Sequence, residues 1–296
     1  MIENVAIMMG RRVHLPGVGR LLRWLFPCRW DSRKYIHGVR TRADGLKFEA
    51  DTRQLIDWNL LFHGDYEPHM RQLFSYLTGP GGVAIDVGAN VGAHTLTLAS
   101  LVGAAGRVLA FEPNPAIRKR LLFNAQLNGM SQVAVYAQAL AEESGCLQLR
   151  VPKVGSAESS NPGLASLVAL ETPHDLVDVE VRRGDDLVGD AGISRLDLIK
   201  IDVQGYEMQV LHGLVSTVDR FKPAVLFEFE DWAWRAANST LDDAVAFFGR
   251  RSYTLWRVDS RGRLVCLGND APPHAELVAL HDDDPRCAAL VSRAEE

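Results

Sequence analysis

The stretch between residues 83 and 114 constrains this chain more than any other. It opens on a short apolar run, Val83-Ala84-Ile85, that ends on Asp86 and breaks into small residues at Gly88, Ala89, Asn90 and Gly92. An apolar-periodic segment, Leu96 to Val102, follows at helical spacing. A buried strand, a tight turn of small residues and a helix, in that order, is how α/β folds build a nucleotide site. Glycine lets the backbone approach a ligand and adopt positive φ, and the free N–H groups of a helix N-terminus attract an anion. A second apolar run, residues 107–111, ends on Glu112 and is followed by Pro113-Asn114. An acid at the tip of the second strand is placed to accept hydrogen bonds from a ribose diol. A strand–turn–helix that binds nothing would need neither the turn nor the acid, and here the two occur together.

What the turn lacks narrows the nucleotide. A dinucleotide turn reads G-x-G-x-x-G, whereas this one runs Asp86-Val87-Gly88-Ala89-Asn90-Val91-Gly92, with Asn90 at the middle glycine position. A phosphate loop ends in Gly-Lys-Ser/Thr, and this turn holds no lysine. Asp86 at the strand end would repel a pyrophosphate but suits a ligand with a cationic amine. S-adenosylmethionine has such an amine, a carboxylate for the helix N-terminus and a ribose for Glu112. It is the expected cofactor, ahead of a dinucleotide.

The chain has 296 residues, 47% of them hydrophobic, enough for one large α/β domain with appendages. A net charge of −5 argues against general affinity for nucleic acid, whose backbone calls for a basic surface. No Asn/Asp-Pro-Pro-Tyr/Phe tetrad is present to polarise a base nitrogen, and no Pro-Cys pair sits after a strand to attack a pyrimidine. The four cysteines, Cys28, Cys146, Cys266 and Cys287, form no C-x-x-C pair, so the expectation is a cytoplasmic protein with reduced thiols. Residues 1–34 are distinct: arginines alternate with Leu21, Leu22, Trp24, Leu25 and Phe26, and no apolar run is long enough to span a bilayer. Val18, Leu22 and Leu25 fall at i, i+4, i+7. Two readings stay open, a basic amphipathic helix at the inner face of an anionic membrane and a helix packed on the domain with its arginines in water.

Four segments are expected. Residues 1–34 are the basic front, 35–82 a hairpin and two helices capping the core, 83–268 the cofactor-binding core and 269–296 an acidic tail with one short helical patch. Within the core, residues 115–127 read as a helix with Ile117, Leu121, Leu122 and Ala125 on one face, and residues 133–139 as a third strand that puts Ala139 beside an adenine. Residues 155–163 are polar and small, which fits a surface loop acting as a lid or a linker. The run Leu198-Ile199-Lys200-Ile201-Asp202 is another buried strand ending on a carboxylate, before Gly205 and a helix over 206–218. A fifth strand over 224–230 carries Glu228 and Glu230, and residues 253–267 read as a closing hairpin. Ligands of doubly wound sheets sit beyond the carboxyl ends of the strands, so Asp86, Glu112 and Asp202 are expected to converge on one crevice. His281-Asp282-Asp283-Asp284 offers metal-ligand types, but a solvated acidic turn near the terminus is the expected reading, and no metal site is expected there.

Taken together, residues 45–258 resemble the FkbM-type family of class I S-adenosylmethionine-dependent methyltransferases. The motifs that carry the resemblance are Gly64-Asp65-Tyr66-Glu67-Pro68, IDVGANVGAHT from Ile85, AFEPNP from Ala110, LIKIDVQGYE from Leu198 and AVLFEFE from Ala224. The resemblance implies a Rossmann-like, doubly wound sheet of seven strands with the last antiparallel. It also implies methyl transfer to oxygen on a sugar, glycan or polyketide-like acceptor. The residues expected to hold the cofactor are Glu67, Asp86, Gly88, Asn90, Gly92, Thr95, Glu112, Asn114, Ala139 and Asp202. Asp202 is the first candidate for a general base, with Glu228 and His94 behind it. Trp232 and Trp234 are candidate platforms for a sugar ring. A divalent metal bridged by Asp202 would also lower a hydroxyl pKa, but no ligand spacing demands one. The alternatives are a cofactor-binding assembly protein of a glycan pathway that has lost catalysis, and a nucleic-acid methyltransferase.

Overall fold

The computed structural model describes residues 6–8, 10–11, 18–26, 36–152, 165–167, 174–267 and 272–286. The front section holds helix α1 (Val18–Leu25), the expected hairpin of β1 (Ile36–Arg40) and β2 (Lys47–Asp51), and helices α2 (Leu55–Phe62) and α3 (Pro68–Leu77). Then β3 (Val83–Val87), α4 (Ala93–Val102), β4 (Arg107–Phe111), α5 (Pro115–Leu127) and β5 (Val133–Tyr136) alternate as two βαβ units. A small sheet of β6 (Ala139–Ala141), β7 (Gly145–Pro152) and β8 (His174–Arg183) follows, in the order β6-β8-β7. The chain re-enters the main sheet through α6 (Gly184–Asp190) and β9 (Leu198–Ile201), then α7 (Glu207–Gly213), α8 (Val215–Phe221) and β10 (Ala224–Glu230). Helices α9 (Asp231–Ala236) and α10 (Leu241–Gly249) lead to β11 (Tyr253–Val258), β12 (Leu264–Cys266) and β13 (His274–His281).

The main sheet has the order β12-β11-β13-β10-β9-β3-β4-β5. Strands β10, β9, β3, β4 and β5 pair in parallel, and β13 runs antiparallel between β10 and β11. This is the class I Rossmann-like arrangement, with one departure: β12 adds an antiparallel edge strand, so the sheet has eight strands and not seven. The antiparallel strand also corrects the C-terminal boundary. Residues 274–281, expected within an acidic tail with a helical patch, form an inner strand of the sheet. Leu277, Val278, Ala279 and Leu280 are all buried. A strand covered on both faces shows no alternation, and a short apolar run of this kind reads equally well as helix or strand.

Side chains of a strand alternate between faces, and the core follows that period. Ile85, Val87, Ile199 and Ile201 pack to one side with Met208, Leu211 and Phe248, while Ala84 and Leu198 pack to the other with Leu73, Phe74 and Leu98. Asp86 and Lys200 share the period of Ala84 and Leu198, and the register sets them directly opposite each other. A third cluster unites Leu22, Phe48, Trp58, Phe62, Leu121 and Ala125, which binds the front section to α5.

Three local expectations change. On α5, Leu122 is exposed and Asn124 takes its place inside, donating to the Val91 carbonyl at 2.9 Å and accepting the Glu49 N–H at 3.0 Å. The third strand ends at Tyr136, and residues 139–141 leave it for the small sheet. The helix over 206–218 is interrupted at Leu214, whose φ of −112° and ψ of 15° lie outside the helical well. Residues 155–163 lie outside the described residues.

Candidate active site

The carboxyl ends of β3, β4 and β9 open into one cavity lined by Gly88, Asn90, Glu112, Asn114, Ala139 and Asp202. Leu55, Ile56 and Tyr66 of the front section close one side of it, and Leu149, Ala165 and Leu167 another. Glu112 is buried at the tip of β4. Its Oε2 accepts the N–H of Asn90 at 2.9 Å and its Oε1 that of Asn114 at 2.8 Å. Burial pushes its pKa up to about 7, against the two backbone N–H groups. A carboxylate offers about four lone-pair sites, so capacity for two further hydroxyl donors remains on the cavity wall. Asn114 also caps α5, accepting the Ala116 N–H at 3.1 Å.

Gly88 explains why the turns after β3 and β9 lie together. Its φ is +79°, and a Cβ there would stand 1.9 Å from the Asp202 carbonyl oxygen. Three non-glycine residues around the cavity also hold positive φ, Glu67 at 44°, Asn90 at 51° and Gln204 at 55°. Such strain costs about 1–3 kcal/mol per residue and persists where surrounding structure imposes it, commonly at functional sites. For Gln204 the constraint is visible. Ser166 Oγ donates to its carbonyl at 2.8 Å, and Glu207 Oε1 gathers the N–H groups of Val203 and Gly205 at 3.0 and 3.2 Å.

From the cavity wall a chain of charges runs into the core. Lys200 Nζ lies 3.2 Å from Asp202 Oδ2 and 3.4 Å from Asp86 Oδ1. Thr95 Oγ1 donates to Asp86 Oδ2 at 2.6 Å. Gln204 Nε2 donates to Asp202 Oδ1 at 3.2 Å and to Glu228 Oε2 at 3.1 Å. Burial works to raise the Asp202 pKa, but Lys200, the Gln204 amide and His94 outweigh it and hold the carboxyl below its ordinary range. Glu67 is held low in the same way: the hydrogen bond and charge of His94 outweigh burial, with Nε2 of the imidazole 3.2 Å from Oε2. Glu228 moves in the opposite direction, raised first by burial and then by Asp202 and by Glu276, its partner across β10 and β13. Glu276 rises to about 8, through burial first and then Asp202 and Glu67.

The cavity therefore collects six of the expected cofactor residues, Gly88, Asn90, Glu112, Asn114, Ala139 and Asp202. Asp86 and Thr95 do not line it. Both are fully buried, and Asp86 meets Lys200 and Thr95 where a ligand amine was expected. Gly92 stays behind the wall too, packed on Leu121 and Leu96 at the start of α4. Glu67, His94 and Glu228 flank the cavity, reaching it through Tyr66, Asp202 and Gln204. A carboxyl raised as far as that of Glu228 is protonated at neutral pH, which removes it from the bases. Trp234 is no platform: it is fully buried against Phe227 and Phe229, while Trp232 is exposed on the outside of α9. Lys200, Gln204 and Glu276 were missed. Lys200 had a signal, a cation in the middle of an otherwise apolar strand, which must find a partner. His281 is buried with Nδ1 accepting the Asp283 N–H at 3.1 Å, and among the described residues no His, Cys, Asp or Glu group is placed to hold a metal.

The chain is similar in sequence to several known methyltransferases. The 2-O-methyltransferase NoeI of Sinorhizobium fredii is 27% identical over 215 residues, covering 69% of this chain and 78% of NoeI. The hexuronic acid methyltransferase AglP of Haloferax volcanii is 26% identical over 133 residues, 45% of this chain and 50% of AglP. The AMB antimetabolite synthetase AmbE of Pseudomonas aeruginosa is 32% identical over 171 residues, and the chain spans only 8% of its length. Among solved structures, a methyltransferase FkbM from Methylobacillus flagellatus aligns with 70% of this chain and 47% of its own, at 17% identity and a TM-score of 0.43. The family described as methyltransferase FkbM domain matches residues 86–255, from the first acid of the β3 turn to the middle of β11. By that match, the chain belongs to the FkbM family of methyltransferases.

Proposed function

We propose that the protein transfers a methyl group from S-adenosylmethionine to a hydroxyl of a sugar, glycan or polyketide-like acceptor. The observation that carries this reading is the placing of Glu112 and an ionised Asp202 in one cavity, with Lys200 behind Asp202. Glu112 fits a ribose diol because its carboxylate has unused acceptor capacity on the cavity wall. Ala139, Leu140 and Ile117 give an apolar surface suited to an adenine ring. Once bound, the sulfonium offers a methyl carbon already activated for attack. The chain's own task is to hold an acceptor hydroxyl in line and to take its proton. Positioning of this kind supplies roughly 7–11 kcal/mol, and a general base roughly 10²–10⁴-fold.

Asp202 takes the proton on this reading. A carboxylate held low by Lys200 is a weak base toward a resting alcohol, but an oxygen gaining a methyl group becomes strongly acidic, so an ionised carboxylate suffices. Glu67 and His94 form a second acid–imidazole pair nearby, and Glu228, being protonated, can donate a hydrogen bond to the acceptor. Sugar acceptors draw support from the names of two relatives, a 2-O-methyltransferase and a hexuronic acid methyltransferase. The exposed free thiols Cys146 and Cys266 fit a reducing, cytoplasmic setting.

The test is incubation with labelled cofactor and a panel of deoxysugar nucleotides, glycolipids and oligosaccharides, beside nucleic acids and small phenols. Label is expected in carbohydrate hydroxyls. Asp202→Asn should lower turnover at least about a hundredfold while calorimetric affinity for S-adenosylhomocysteine stays nearly constant. Label found only in nucleic acid would overturn the acceptor class. Cofactor binding with no turnover on any acceptor would favour an assembly protein without catalysis.

A further inference from the structure

Helix α1 is packed on one side and bare on the other. Leu22 is buried, and Phe26 just beyond the helix lies 5.3 Å from Phe62 of α2, ring centre to ring centre. Trp58 of the same helix donates from Nε1 to the Phe26 carbonyl at 2.8 Å, and the Arg23 guanidinium stands 5.4 Å over the Trp58 ring. This face anchors α1 to the helix whose first residues, Leu55 and Ile56, line the cavity. The outer face carries Leu21, Trp24 and Leu25, spaced i, i+3, i+4, so the three side chains form one ridge. Leu21 and Leu25 are 47% exposed and Trp24 is 76% exposed. Arg20, also exposed, borders the ridge, and Arg23, exposed too, lies on the flank next to Trp58.

Burying such a ridge in water's place requires a partner. A second copy of the chain fits poorly, because a stable dimer needs roughly 800 Å² per partner, far more than three side chains provide. An anionic bilayer suits both the ridge and Arg20. Trp and Leu enter the headgroup layer, and an arginine beside them reaches lipid phosphates with its stem on apolar surface. The chain's net charge is −5, so attraction to an anionic surface must be local, and α1 supplies a local cationic edge.

We propose that α1 is a membrane-docking helix, resting its Leu21–Trp24–Leu25 ridge and the bordering Arg20 on an anionic lipid surface with the cavity's α2 wall next to it.

The full chain is mixed with vesicles of phosphatidylcholine and phosphatidylglycerol, with phosphatidylcholine vesicles as control, and floated on a density gradient. The chain is expected to float with the anionic vesicles, to be released by high salt, and to show a blue-shifted tryptophan emission on binding. The double variant Trp24→Ser with Leu25→Ser and the variant Arg20→Glu should each bind anionic vesicles at least about tenfold more weakly. Thermal melting and calorimetry with S-adenosylhomocysteine, unchanged in both, separate a lost docking face from a lost fold or cofactor site. Wild-type protein that stays at the bottom of the gradient, or variants that float as well as wild type, would overturn the proposal. So would a dimer in sedimentation that Trp24→Ser with Leu25→Ser dissolves while vesicles bind neither form.

Discussion

Replacing Lys200 by methionine removes the cation that faces the buried Asp86 and the half-buried Asp202. The ammonium lies 3.2 Å from Asp202 and 3.4 Å from Asp86, and both Lys200 and Asp86 are buried. Removing one partner of a buried ion pair costs about 3–5 kcal/mol, because the other charge is left in a poorly solvating interior. That is a large share of a typical domain stability of about 5–15 kcal/mol, and for a chain of this size it lowers Tm by roughly 6–20 °C. The sign with pH is distinctive. In the wild type Asp202 is held below its ordinary range, so its contribution is present above the unfolded value near 3.9 and is lost as pH falls through the folded value. In Lys200→Met the largest of the effects that oppose burial at Asp202 is gone, so its ionisation stabilises the fold less and the deficit of the variant grows as pH rises. Urea unfolding at pH 5 and pH 8 measures this, and the deficit of the variant should be larger at pH 8. If Asp202 is the base, the acidic limb of the turnover profile should also move to higher pH. A deficit below about 1 kcal/mol that is equal at both pH values would refute the reasoning.

Glu112→Gln keeps the shape of the side chain but removes a charged acceptor worth about 1.5–3 kcal/mol, so cofactor affinity by calorimetry should fall roughly 10–150-fold. Its pKa of about 7 in the free protein means that a ligand preferring the carboxylate must displace a proton at lower pH. Affinity should therefore rise with pH up to about 7 and level off above it, with proton release detectable in buffers of different ionisation enthalpy and absent in Glu112→Gln. The two neighbouring tryptophans should behave differently on truncation. Trp234→Ala removes a fully buried ring from the Phe227–Phe229 cluster and should cost about 3–5 kcal/mol in urea unfolding, whereas Trp232→Ala, at 58% exposure, should stay within about 0.5 kcal/mol.

Much of this molecule was determined locally, in the order of its residues. The run Val83–Val87, the small-residue turn and Glu112 were legible because strand period, turn chemistry and a strand-end acid are short-range signals. The hairpin of β1 and β2, the helices α2 to α5 and the parallel strands followed from the same rules, as did Gly88, Asn90, Glu112, Asn114, Ala139 and Asp202 at one cavity. Where a side chain had to choose between ligand and protein, sequence order had no vote. Asp86 looked like a partner for a cationic ligand, yet the cross-strand register places Lys200 opposite it and Thr95 beneath it. Pairing across strands far apart in the chain is decided only when the sheet forms.

The same holds for Glu228. Its place at the end of β10 was readable, but its neighbour Glu276 arrives on β13, within a segment that resembled a tail. Burial first, then Asp202 and that cross-strand pairing, raise the carboxyl and turn a candidate base into a hydrogen-bond donor. Burial likewise separates Trp234 from Trp232, two residues apart in sequence, because a helix turns successive side chains to different sides and tertiary packing covers one side alone. Local sequence therefore set the elements, the turns and which acids stand at strand ends. The tertiary structure decided which of those acids face a ligand and which face one another, because charge state in a protein interior depends on neighbours that the chain brings in from far along its length.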